Sequence, residues 1–200
     1  MLIKLGDLFF KYRSYTPLPF VILMMLYINP TASSILYGLL VAIAGEMIRL
    51  WAVSYAGSET RTTSGAGGTY LVTQGPYSIV RNPLYVGNVL IYLGMGIMSN
   101  ALFPWLQIFA IIYFLFQYYC IILTEERFLK GKFGTTYNKF FNTVGRFIPT
   151  FKKLPAEVRS TLTFNMKAGL RSENRTLQSF SITMIIILIF YFTGLRLLAR

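Results

Sequence analysis

From Ala101 to Thr124 the chain runs through twenty-four residues without one charged side chain. About 20 residues of this kind, wound as a helix, cross the hydrocarbon core of a bilayer, and a helix satisfies its own backbone polar groups there. Four other apolar runs follow the same logic: Pro17–Ile28, Ile35–Gly57, Pro83–Ser99 and Ser179–Ala199. The expected fold class is therefore all-α, a polytopic membrane protein with about five transmembrane helices and a cytosol-facing cofactor pocket. Residues 1–200 read as a single integral-membrane domain, with neither an internal repeat nor a soluble domain.

Pro17–Ile28 is short for a crossing, and Met24–Tyr27 continue without a small-residue cleavage site, so it reads as a retained helix rather than a leader. The residues before it, MLIKLGDLFFKYRSYTPLPF, mix charges with aromatics and fit an interfacial helix. With no histidine and one cysteine, a disulfide framework or a Cys/His metal site is excluded, and no metal is expected. Any catalysis must also work without imidazole. The net charge of +12 fits loops facing anionic lipid, with no nucleic-acid partner required.

The polar stretch 70–87, YLVTQGPYSIVRNPLYVG, is punctuated by Gly75-Pro76, a turn signal, and runs into the apolar segment at Pro83. Pro83 suits a first helical position and Asn82 suits an N-cap. A helix starting there aims its free N–H groups and positive dipole end at the preceding loop. Arg81 adds a full charge, so an anionic group of a ligand is well placed. The expected second half of the site is the adjacent pair Glu125 and Glu126, which alternatively pair with Arg127 and Lys130 as ordinary surface charge. Inside the second span, Glu46 and Arg49 stand three residues apart on one helix face. They read either as the wall of a pocket or as a structural pair. The glycine-rich segment AGSETRTTSGAGG lacks nucleotide-binding spacing and reads as a linker. Residues 152–178 read as a polar, basic linker before the last span.

Counting Lys and Arg by loop sets the orientation. Eleven fall between Arg127 and Arg175, three in the amino-terminal segment, and none in the turns at 29–34 and 99–101. The amino terminus is expected in the cytoplasm with both halves of the site. The expected location is a prokaryotic inner membrane, or endoplasmic reticulum if the chain is eukaryotic.

LVTQGPYSIVRNPLYVGN, a helical hairpin, and then TEERFLKGKFGTTYNKFFNTVGRFIP together resemble the isoprenylcysteine carboxyl methyltransferase family, the integral-membrane group that includes phospholipid N-methyltransferases. The likeness covers about residues 45–150, including RLWA at Arg49–Ala52, and leaves out the last helix at 179–199. It implies S-adenosylmethionine as the methyl donor and a lipophilic acceptor drawn from the bilayer. Position by position, it implies that Tyr70, Leu71, Val72, Tyr77, Asn82, Pro83 and Tyr85 line the cofactor and that Glu125 holds it. A sulfonium and an ammonium suit a carboxylate and tyrosine faces.

Two positions depart from the family pattern. Asn82 replaces a histidine, and Ile121 stands where the eukaryotic carboxyl methyltransferases place an arginine. Arg146 is then the expected orienting cation for an acceptor carboxylate. For an amine acceptor, Glu126 is the expected proton acceptor. The activity implied first is isoprenylcysteine-type carboxyl O-methylation. Alternatives are phospholipid N-methylation, an NADPH-dependent sterol reductase relative, and a membrane scaffold without catalysis.

Overall fold

The computed structural model describes residues 1–57 and 69–198. Most of the glycine-rich segment, with Arg61, lies outside the described residues, as do Ala199 and Arg200. The described chain is helical: α1 (Leu2–Tyr12), α2 (Leu18–Leu26), α3 (Ala32–Ala56), α4 (Pro83–Ser99), α5 (Trp105–Thr143) and α6 (Met166–Thr193), with short 3-10 turns at Gly75–Ser78 and Ala156–Val158. Among these, α3, α5 and α6 are long and apolar enough to cross a membrane, and α4 is a shorter apolar helix. This is the all-α membrane architecture the sequence predicts, and α4 has the predicted bounds. The first apolar run forms only the nine-residue α2.

Other boundaries differ from expectation, and α5 starts at Trp105 rather than Ala101. Thr31–Ser34 is not a separate turn, because it starts α3. The Thr31 N–H donates to Ser34 Oγ at 2.9 Å and the Ser34 N–H to Thr31 Oγ1 at 3.1 Å, a reciprocal cap. Helix α5 runs on past Glu125 and Glu126 to Thr143, because Tyr137 and Phe140 bury one face of the basic segment in a small apolar core, which outweighs its weak helix propensity. Its break falls at Gly134, whose φ of 50° suits glycine. The supposed linker after Lys152 becomes helical at Met166, where Asn165 Oδ1 accepts the Ala168 N–H at 3.0 Å. Helix α6 ends at Thr193, before Gly194 with φ of 66°.

The chain divides into two compact units. One comprises 12–46, 87–116 and 174–200. Here α3 and α4 meet along small residues: a Cβ built on Gly94 would lie 2.5 Å from the Ala42 nitrogen and 2.6 Å from the Gly38 oxygen. Such contact lets backbones approach and gain dispersion energy where lipid removes the hydrophobic drive. Gly94→Leu should therefore lower stability by roughly 1–3 kcal/mol through overpacking, read as a lower thermal midpoint in detergent; an unchanged midpoint would contradict this packing. Elsewhere in the unit, the Phe20 ring packs on Phe109, Tyr113 and Phe114, and Ile28, Met98 and Ile187 form a buried cluster.

The other unit comprises 1–11, 47–86 and 117–173 and carries the expected site. Helix α1 sits against α5 through Gly6, where a Cβ would lie 2.3 Å from the Cys120 carbonyl oxygen. Beyond the break in α5, Tyr137, Phe140, Val144, Leu154 and Val158 form a small apolar core, and Leu71 packs on it.

Candidate functional site

The loop before α4 is held by a positive-φ glycine and by a second strand of backbone. Gly75 has φ of 58°, and a Cβ there would meet the Tyr55 ring at 2.4 Å, so space and conformation both require glycine. Gly75→Ala should cost about 1–2 kcal/mol from the left-handed backbone alone, seen as a lower thermal midpoint; no change would mean the turn relaxes freely. Upstream, Thr73 Oγ1 donates to Val158 O and accepts from Ser160 N–H, each at 2.8 Å. Downstream, Val80 and Gly145 form a parallel bridge, Arg81 N–H reaches Gly145 O at 2.9 Å, and Thr150 N–H reaches Ile79 O at 2.8 Å. The segment after α5 is thereby laced to the segment before α4.

This lacing brings distant charges together. Glu126 is 6% exposed and sits between two arginines. Arg81 Nη2 donates to its Oε1 at 2.9 Å, while Arg146 donates Nε to Oε1 at 3.0 Å and Nη2 to Oε2 at 2.6 Å. Arg81 also donates Nη1 to the carbonyls of Val144 and Phe141 and lies over the Phe141 ring. Its guanidinium thus caps backbone carbonyls left open near the end of α5. Arg146 lies over the Tyr119 ring, and its bond to Glu126 pushes its pKa up while burial opposes.

Glu125, one position earlier, faces elsewhere because adjacent helical residues are about 100° apart. Its Oε1 accepts the Tyr85 hydroxyl at 2.7 Å, and the Tyr85 ring stacks on Tyr118 at 4.6 Å. Tyr77, in the 3-10 turn, belongs to the same electrostatic neighbourhood. Its hydroxyl pKa is pushed up first by burial and then by the Glu125 carboxylate, while Arg49 opposes and Glu173 adds. Asn82 precedes α4, where its backbone carbonyl accepts the Val86 N–H, while its side chain donates through Nδ2 to Arg146 O at 3.2 Å.

Of the residues expected to line a cofactor, Tyr77 and Tyr85 share the Glu125 neighbourhood, whereas Asn82 is tied to the Arg146 carbonyl and Pro83 is fully buried at the start of α4. Leu71 faces the small apolar core instead, Val72 is half-buried, and Tyr70 is 61% exposed. Arg49 is clamped by Glu173 on α6, Nη2 to Oε1 at 2.8 Å and to Oε2 at 2.7 Å. Sequence reasoning missed Glu173, although it is one of only two acids after Glu126 in an otherwise basic sequence.

Comparison with known proteins covers most of these parts. The family model described as phospholipid methyltransferase matches residues 33–136. The chain belongs to this family. The matched span holds Tyr77, Arg81, Tyr85, Glu125 and Glu126 but stops short of Arg146 and α6. Among curated proteins, the cobalt-zinc-cadmium resistance protein CzcN of Cupriavidus metallidurans is 39% identical over 42% of this chain and 35% of its own length. The nickel-cobalt-cadmium resistance protein NccN of Alcaligenes xylosoxydans xylosoxydans is 30% identical over 70% of this chain and 59% of its own length. The chain thus matches between about a third and three-fifths of these relatives. No solved structure shows significant similarity.

Proposed function

We propose that this phospholipid methyltransferase family member transfers a methyl group from S-adenosylmethionine to the carboxylate of a lipophilic acceptor of the prenylcysteine type. The observation that carries this reading is Glu126 held between Arg81 and Arg146. Both of its oxygens already accept charged hydrogen bonds, so it is poorly suited to take a proton from an ammonium, as an amine acceptor requires. Two arginines against one glutamate leave one positive charge, which attracts an anion and repels an ammonium.

The donor set fits the methyl donor. A carboxylate beside stacked tyrosine faces suits the cofactor's cationic groups, and the positive dipole end at the start of α4 suits its carboxylate. The cofactor supplies a methyl group activated by a positively charged sulfur. The chain's own residues bind and orient: Glu125 with Tyr85 and Tyr77 on the cofactor side, Arg146 on the acceptor side. An acceptor carboxylate, already ionised at neutral pH, needs positioning and exclusion of water rather than a base. A site without histidine therefore suffices.

The two relatives are named for metal resistance. We assign this chain the methyl-transfer reading rather than direct metal handling because it has no histidine and one buried cysteine, a poor donor set for such metals. Phospholipid N-methylation is the second reading, favoured by the family description. We also place the site on the cytoplasmic side of a prokaryotic inner membrane, following the basic segments.

Incubation with methyl-labelled S-adenosylmethionine, a prenylcysteine analogue and phosphatidylethanolamine vesicles separates the readings. A carboxyl methyl ester releases its label as methanol in mild base, whereas an N-methyl group does not. The expected product is base-labile label on the prenylcysteine. Base-stable label confined to the amine lipid would overturn the carboxylate reading.

A further inference from the structure

Helix α6 begins beyond the part of the chain that matches the family, yet its first turns dock on the end of α3. The Asn165 N–H donates to Ser54 O at 2.8 Å, and a Cβ on Gly169 would meet Ser54 Oγ at 2.2 Å. This close docking brings Glu173, 2% exposed, onto Arg49 through both carboxylate oxygens. Resting on the methyltransferase reading above, we propose that Glu173 is a positioning residue of the cofactor site: it clamps Arg49 and cancels its charge, so that the neighbourhood of Tyr77 and Glu125 stays receptive to a cationic ligand.

Charge sets the preference of this neighbourhood. The turn that carries Tyr77 packs on α3 just beyond Arg49, since a Cβ on Gly75 would lie 3.2 Å from Trp51 Nε1 and against the Tyr55 ring. Arg49 and Glu125 both act on the Tyr77 hydroxyl there, and in so buried a place an uncancelled charge reaches far. A ligand bearing a sulfonium and an ammonium is attracted by Glu125 and repelled by a guanidinium whose charge Glu173 no longer offsets. With Glu173 bidentate on Arg49, the pair is neutral and the Glu125 carboxylate dominates. Bidentate geometry also fixes the guanidinium plane, which a lone point contact would leave free to turn.

S-adenosylmethionine and S-adenosylhomocysteine differ by one methyl group and the positive charge on sulfur, so their affinity ratio reads this field. A purely structural pair, once broken, weakens both ligands alike. Titration calorimetry with each nucleoside on the full chain is the measurement. In Glu173→Gln, whose amide still offers the guanidinium an acceptor, S-adenosylmethionine should lose about tenfold relative to S-adenosylhomocysteine. In Arg49→Met the ratio should move in the opposite direction. In the apolar double variant Arg49→Met/Glu173→Leu, which removes the buried pair without leaving an orphan charge, it should return to the wild-type value. Whichever single variant folds decides the matter. An unmoved ratio, with both ligands weakened equally or not at all, overturns the role of Glu173. Wild-type protein that binds neither nucleoside overturns the methyltransferase reading instead.

Discussion

Glu126→Gln should cost about 3–5 kcal/mol of stability, the largest loss expected of any single substitution in this chain. The carboxylate is buried and answers two guanidinium groups, one of which is itself only 7% exposed. Removing the charge leaves Arg81 and Arg146 facing each other without compensation. The effect spreads through the loop, because Arg81 ties Phe141 and Val144 while Arg146 O accepts from Asn82. A reduced unfolding midpoint in detergent, with faster proteolysis between Val144 and Pro155, is the expected result. A midpoint within a degree or two of wild type would mean that solvent screens the cluster. Arg146→Gln should be milder, since its side chain is 23% exposed and Arg81 remains on Glu126.

Glu125→Gln should behave in the opposite way, with stability nearly kept and ligand affinity lost. Glu125 is half-buried and accepts the Tyr85 hydroxyl, a bond that a glutamine oxygen can also accept. What disappears is the negative charge. A hydrogen bond to a charged group contributes roughly 1.5–3 kcal/mol, so affinity for S-adenosylmethionine should fall from about tenfold to over a hundredfold. Thermal unfolding of the ligand-free variant should stay close to wild type. Unchanged affinity in a folded variant would remove Glu125 from the cofactor site.

The contrast between these neighbouring acids shows where sequence reading reaches and where it stops. The hairpin of α4 and α5 was legible because its signals are local: Asn82-Pro83 starts a helix, an uncharged run sustains it, and Ser99-Asn100 turns it. The adjacency of Glu125 and Glu126 was equally visible, and helical spacing already separates their directions. Their partners were not visible. Glu126 takes Arg81 and Arg146 rather than Arg127 or Lys130 because the loop before α4 pairs with the segment after α5 through Val80 and Gly145. Backbone pairing between remote segments leaves no periodicity to read. Arg49 likewise finds Glu173, 124 residues away, although Glu46 stands one helical turn before it. The early start of α6 was hidden by its charged first turns, which look like linker until Asn165 is recognised as a cap and Gly169 as the contact with Ser54.

One ligand, S-adenosylmethionine, decides the function of this chain. Titration calorimetry of the purified full chain in lipid nanodiscs, with S-adenosylmethionine in one cell and NADPH in a parallel one, tests it most directly. Saturable heat with S-adenosylmethionine, greatly weakened by Glu125→Gln, and none with NADPH is the expected result. Saturable binding of NADPH with no heat from S-adenosylmethionine would contradict it.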